Sequence, residues 1–242
     1  MLIKNALIFQ ENKCFSKGDI LIQGERFEAS GTGNKNEGQE QVMDATGFYA
    51  IPGLVDIHFH GCMGADVCDA GEDTLETIAR FEASKGITSM CPATMTVSKS
   101  NLFRVMEMAA AYESREGAKL AGLNMEGPFI SEKKKGAQAA EHILNTDARL
   151  LYEFYEKSNH LVKMVDIAPE KPGAMDFIRK VKEKVIVSIA HTEADYDTAL
   201  EAFEEGASHV THLYNAMPQL THRAPGVIGA AIDNPGVNVE LI

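Results

Sequence analysis

The chain has 242 residues, 45% of them hydrophobic and 24% charged, which are the proportions of a folded globular protein and not of a disordered or fibrous one. Its formal net charge of −12 argues against a general binder of nucleic acid or anionic membrane, both of which need a basic face, but leaves room for a small anionic substrate in a local positive pocket. No apolar run approaches the roughly 20 residues that span a bilayer, the N-terminus lacks signal-peptide character, and Cys14, Cys62, Cys68 and Cys91 form no C-x-x-C pair, so a cytoplasmic protein with reduced thiols is expected.

Residues 2–9 and 19–22 are short β-rich runs, followed by turn formers at Gly24 and over 30–38. They predict a small antiparallel β unit, with 30–41 as a surface loop. From about residue 48 the pattern changes to short apolar runs alternating with amphipathic helices. Strands are predicted at 50–57, 87–93, 120–125, 162–167, 185–190 and 209–212, with 237–242 beginning a seventh. Helices are predicted at 72–85, 99–116, 147–158, 174–183 and 195–205. The second places Leu102, Val105, Met106, Ala109 and Ala110 on one face, with Ser98 or Ser100 to start it and Gly117 to end it; Gly206 ends the fifth.

Regular β-then-α alternation predicts a parallel sheet with right-handed crossovers. The lack of a G-x-G-x-x-G at the first turn weakens a dinucleotide-binding sheet. A (β/α)8 barrel needs eight strands and about 250 residues of its own. The expectation is therefore a TIM-like barrel, incomplete at six to seven strands over 48–242, preceded by a small β domain over 1–47.

Chelating residues cluster at the predicted strand ends. The first strand ends in Asp56-Ile57-His58-Phe59-His60, where residues two apart share a face. The third ends at Glu126, the fifth at His191 and the sixth at His212. Imidazole nitrogen and carboxylate oxygen are ligands for Zn²⁺ and suit Fe²⁺, and a set with an open position is the catalytic arrangement. A single H-x-H is a weak signal; four strand ends each bearing a ligand type are a strong one. His142, His160 and His209 read as surface or structural, Lys133-Lys134-Lys135 as a solvated loop near the rim, and Cys62 and Cys68 as thiols and not ligands.

These motifs resemble the N-acetylglucosamine-6-phosphate deacetylases of the metal-dependent amidohydrolase superfamily. The resemblance rests on Pro52-Gly53-Leu54-Val55-Asp56-Ile57-His58-Phe59-His60-Gly61, Glu126-Gly127-Pro128-Phe129-Ile130 with Lys134-Lys135-Gly136-Ala137, Ala190-His191-Thr192, Thr211-His212-Leu213-Tyr214-Asn215-Ala216-Met217-Pro218 and His222-Arg223-Ala224-Pro225-Gly226. It implies hydrolysis of the acetamido group of N-acetylglucosamine 6-phosphate to glucosamine 6-phosphate and acetate. It also implies a divalent metal, zinc or iron, on Glu126, His191 and His212, and a second ion on His58 and His60 with Glu126 bridging. Arg223 would grip the phosphate, and Asn215 and the Ala216 backbone would contact phosphate or sugar. Gln138 stands where many relatives carry a substrate histidine. The first 47 residues would be part of a β-sandwich, and the whole protein would be a homodimer. The family's general acid/base, an aspartate ending the eighth strand, falls beyond Ile242, so no catalytic residue is expected in this chain; Asp233 lies in a turn sequence and does not replace it. The rival readings are another amidohydrolase acting on cyclic amides or nucleobases, and a non-catalytic barrel scaffold.

Overall fold

The computed structural model describes residues 1–31 and 41–242, which fall into two units, Met1–Gly53 and Leu54–Ile242. In the first unit, strands β1 (Leu2–Phe9), β2 (Phe15–Gln23) and β3 (Arg26–Gly31) form an antiparallel meander. Two short strands, β4 (Val42–Asp44) and β5 (Tyr49–Ala50), then pair with β1 in parallel. The purely antiparallel unit expected from the sequence is thus corrected: the chain returns to the free edge of β1 from its far side. Ala6, Ile8, Ile20 and Ala45 form the small core of this unit. Ser30 and Gly31 end β3; the rest of the expected loop, apart from Gln41, lies outside the described residues.

The second unit begins with β6 (Leu54–Asp56) and a two-strand hairpin, β7 (Gly61–Cys62) and β8 (Ala65–Asp66). It continues as α1 (Thr74–Ser84), β9 (Ile87–Met90), β10 (Ala93–Thr94), α2 (Lys99–Ala111), β11 (Lys119–Leu120) and β12 (Leu123–Phe129). Then follow α3 (Ala148–Lys157), β13 (Val162–Ile167), α4 (Ala174–Val181), β14 (Ile186–Ile189), α5 (Tyr196–Glu205), β15 (His209–Val210), α6 (Gly226–Asp233) and β16 (Asn238–Val239).

Parallel pairing runs β6–β9–β11 and β10–β12–β13–β14–β15–β16. Strands β9 and β10 are one course broken at Cys91-Pro92, where proline has no amide hydrogen for the ladder. Strands β11 and β12 are one course broken at Ala121-Gly122. The two sheets are therefore seven parallel courses in chain order, an incomplete TIM-like barrel; among the described residues the sheet does not close.

The helices cover one side of these strands through apolar stripes such as Leu102, Val105, Met106 and Ala109 of α2. Ser98 caps α2 by accepting the Asn101 amide, and Gly206 ends α5 at φ +123°. Ala110 is exposed, not on the buried face, and α2 stops at Ala111, five residues short of the expected end. Glu113-Ser114-Arg115-Glu116 offers nothing to bury, and most helix stability in a folded protein comes from a buried face. Helix α6 was not predicted: Val227, Ile228, Ala230 and Ala231 are all buried, so the segment has no polar face to show a period.

Several side chains inside the barrel are polar. Thr211 Oγ1 donates to Asp166 Oδ1 at 2.9 Å, and the Ser188 hydroxyl lies 2.7 Å from Thr211 Oγ1 and 3.0 Å from His209 Nδ1. His209 is therefore a buried interior residue and not a surface one.

Gly127 shows how tightly this interior fits the chain. It sits at φ +94°, and a Cβ there would lie 2.1 Å from Thr96 Oγ1, the hydroxyl that donates to the Glu126 carbonyl. Gly127→Ala is expected to cost about 1–3 kcal/mol from the backbone conformation alone. A melting temperature equal to wild type would contradict this account.

Candidate metal centre

Glu126 lies within β12, which continues to Phe129, so the third course does not end at Glu126 as expected. The pairing explains how its side chain turns inward. Between Met125–Val165 and Phe129–Ile167, β12 uses four steps where β13 uses two. The extra residues form a bulge that re-aims a side chain.

His58 and His60 lie in the loop that follows β6, where Asp56 Oδ1 accepts the His58 amide at 3.1 Å. His191 and His212 each lie two residues past the end of a strand, with φ of +43° and +34°. This left-handed region is costly for a residue with a Cβ, and such outliers collect at functional sites.

The structure brings all five expected ligands together. Glu126 Oε1 lies 2.8 Å from His191 Nε2, 3.3 Å from His212 Nε2 and 3.8 Å from His58 Nε2. Glu126 Oε2 lies 3.1 Å from His60 Nε2 yet makes no well-directed hydrogen bond. Two triplets, His58–His60–Glu126 and Glu126–His191–His212, could each hold a metal ion.

The opposite ring nitrogens decide what the inward ones offer. His60 Nδ1 donates to the Ala93 carbonyl at 3.0 Å, and His191 Nδ1 donates to the Lys134 carbonyl at 2.8 Å. His58 Nδ1 meets Glu240 Oε2 at 2.5 Å. A neutral imidazole that donates through Nδ1 presents Nε2 as a lone pair. Tetrahedral coordination with metal–nitrogen bonds of about 2.0–2.1 Å sets ligand atoms roughly 3.3 Å apart. His191 and His212 Nε2 are 3.2 Å apart, and His212 Nε2 lies 3.3 Å from Glu126 Oε1, so the donor set fits.

With no metal bound, the same inward nitrogens face a carboxylate, and the charges follow from that. Burial alone would raise Glu126, but the imidazoles of His191, His212, His58 and His60 around it hold it well below the usual carboxylate range. Burial alone would lower His58, but the Glu126 and Glu240 carboxylates outweigh it and push the ring up to about 10. His60 is raised by its bond to Glu126 against the opposing effect of burial.

Other candidate residues are placed less closely. Gln138 is buried, its Oε1 accepting the Thr96 amide at 2.6 Å and its Nε2 facing Met95 Sδ. Asn215 is exposed and donates to the Leu213 carbonyl, while the Ala216 carbonyl accepts the Thr192 amide. Arg223 lies exposed in a tight turn held by Thr221 and Ala224. Asp233 ends α6 and accepts the Tyr196 hydroxyl at 2.9 Å. His160 lies at the surface beside Glu156, and His142 closes a short 3₁₀ turn. All four cysteines are free. Glu240 was missed by sequence reasoning: it falls inside the predicted strand 237–242, whereas the observed strand ends at Val239 and leaves Glu240 just past it.

Residues 49–234 match the amidohydrolase family. The chain is 36% identical to the N-acetylglucosamine-6-phosphate deacetylase of Bacillus subtilis (strain 168), covering all of this chain and 63% of that protein. The crystal structure of the N-acetylglucosamine-6-phosphate deacetylase from Pasteurella multocida superposes with a TM-score of 0.90 at 28% identity, over 99% of this chain and 63% of that one. A mutant of the Mycobacterium smegmatis deacetylase, solved in complex with N-acetyl-D-glucosamine-6-phosphate, superposes with a TM-score of 0.87 at 27% identity, over all of this chain and 62% of that one. The chain thus spans slightly under two thirds of these three relatives.

Metal entry must displace the proton that His58 holds at neutral pH. Zinc titrated into metal-free protein at pH 7.5, in two buffers of different ionisation enthalpy, is expected to release about one proton or more per saturated centre, with affinity rising as pH rises toward 10. Calorimetry showing no net release, with affinity independent of pH, would contradict the assignment of His58 as a ligand.

Proposed function

The chain belongs to the amidohydrolase family, and from that membership we propose that it carries the metal-binding part of a deacetylase acting on N-acetylglucosamine 6-phosphate in amino-sugar catabolism. The observation that carries this reading is the convergence of four histidine Nε2 atoms on one buried carboxylate. The named relatives, and the phosphorylated amino sugar held by one of them, support the choice of substrate.

In this reading Glu126, His191 and His212 hold the principal divalent ion, zinc or iron. His58 and His60 hold a second, with Glu126 between the two. When bound, the metal supplies a Lewis acid for the acetamido carbonyl and makes water acidic enough to attack at neutral pH. The residues of this chain place the amide at that point. Arg223 pairs with the sugar phosphate through its planar fork. Asn215 and the Ala216 amide contact phosphate or sugar; the Ala216 carbonyl is already used by Thr192. The Gln138 amide nitrogen reaches a hydroxyl or the acetyl carbonyl, since its oxygen is taken by Thr96.

Proton transfer to the leaving amine needs a group outside the ligand set. Asp233 does not serve, because it closes α6 against Tyr196. The reading places that group, an aspartate, in the portion of the relatives beyond the matched length. It also gives the whole protein a cytoplasmic setting and a homodimeric state.

The test uses the full-length protein. Acetate release from N-acetylglucosamine 6-phosphate should greatly exceed that from unphosphorylated N-acetylglucosamine. Arg223→Ala should lower kcat/KM on the phosphorylated sugar about 10–100-fold, the worth of a charge-assisted hydrogen bond, while leaving the unphosphorylated sugar nearly unchanged. Equal losses on both would overturn the phosphate role. Turnover of a cyclic amide or a nucleobase, with no acetate release, would favour the rival amidohydrolase, and no turnover at all the scaffold.

A further inference from the structure

We propose that Glu240 is a positioning residue of the metal centre, holding His58 by Nδ1 so that Nε2 is presented beside Glu126. The inference rests on the two-ion reading above and deepens it.

Glu240 follows the seventh course, and His58 follows the first, 182 positions earlier. The main chain of Glu240 is clamped on both sides of His212. Its amide donates to the Val210 carbonyl at 3.0 Å, and its carbonyl accepts the Leu213 amide at 2.9 Å. Its carboxylate therefore starts from a fixed point. Oε2 accepts from His58 Nδ1 at 2.5 Å and lies 3.4 Å from the His212 amide. An ionised carboxylate only accepts, so the Nδ1 hydrogen is the donor and Nε2 is left for the metal.

Glu240 is not itself a ligand in this arrangement. It meets His58 on the ring nitrogen opposite the one that faces Glu126. The other two tethered rings, His60 and His191, have neutral carbonyls behind them. His58 alone has a full negative charge behind it, which raises the basicity of its lone pair as well as fixing its orientation. The side chain of His58 is also more exposed than those of His191 and His212, at 13% against 8% each, so neighbouring atoms restrain it less.

The test titrates zinc or cobalt into metal-free full-length protein, with calorimetry and the cobalt absorption spectrum as readouts. Wild type is expected to take up two ions. Glu240→Ala should weaken the second ion about 10–100-fold, the usual cost of losing an outer partner of a ligand, and leave the first within a few-fold. Glu240→Gln, which keeps an acceptor but loses the charge, should fall between. In a His58→Ala background, Glu240→Ala should add no further loss. Thermal melts identify variants that fail to fold, and the Gln variant then carries the comparison.

Wild-type affinity for both ions in Glu240→Ala and Glu240→Gln would overturn the proposal. So would an equal loss with and without His58, which would make Glu240 a general structural residue. Uptake of one ion by wild type, unchanged by His58→Ala, would overturn the two-ion reading and this inference together. Uptake of two ions by wild type, with the second bound as tightly by Glu240→Ala, would overturn only the role of Glu240.

Discussion

A buried carboxylate that must keep its charge is the constraint on which the barrel unit turns. Taking Glu126 out of water is costly unless the charge is paired and hydrogen-bonded. Four imidazoles supply that pairing, and three of them are supported on the far side of the ring. The Ala93 and Lys134 carbonyls and the Glu240 carboxylate supply those supports. The backbone accepts strain to bring the groups together: His191 and His212 both have positive φ. His191 is held there from two directions, since its ring donates to Lys134 and its carbonyl accepts the Ser131 amide at 2.8 Å. Strained conformations persist only when the surroundings over-determine them in this way.

The centre also draws the two ends of the sheet together at the rim. His58 follows the first parallel course and Glu240 the seventh, and these two courses share no ladder bond, yet the side chains meet. Below the rim the edges stay apart and apolar. Leu54, Val55 and Ile57 are exposed along the first course, as are Val239 and Leu241 along the last. Edges of this kind are pairing surfaces. The five side chains that could hold metal thus meet at the rim while, among the described residues, the ladder beneath them is open.

The ligand positions were legible because strand ends are a coarse feature. An error of two residues in a strand boundary does not move His191 or His212 off the rim, which is why the five side chains were grouped although several boundaries were misplaced. What failed was finer. Strand parity for His58 and His60 does not apply, because both lie past the end of β6. Parity set His209 apart from His212, but His212 lies past the end of β15, where parity does not apply, and both rings are buried; a histidine inside a barrel is unexpected when interiors are mostly branched and apolar. Helix α6 was hidden because a segment buried all round has no period. The carbonyls of Ala93 and Lys134 could not be read at all, since every residue has one and only the fold selects which will face a histidine. Glu240 was readable in principle, but no motif surrounded it.

The polar interior explains why Glu240 has a carboxylate to spare for His58. Thr211 donates its hydroxyl hydrogen to Asp166. Ser188 must then donate to Thr211, because the Thr211 hydrogen is already used. Ser188 has no second hydrogen for His209, so His209 Nδ1 must donate to it. Burial pushes His209 down, so its ring adds no charge to this series. A neutral His209 that donates through Nδ1 turns a bare Nε2 lone pair toward Glu240 Oε1, 3.7 Å away. Two acceptors face each other, which is why Oε1 makes no hydrogen bond. The series thus leaves the charge of Glu240 uncompensated from below. It is His58, at the rim, that answers it.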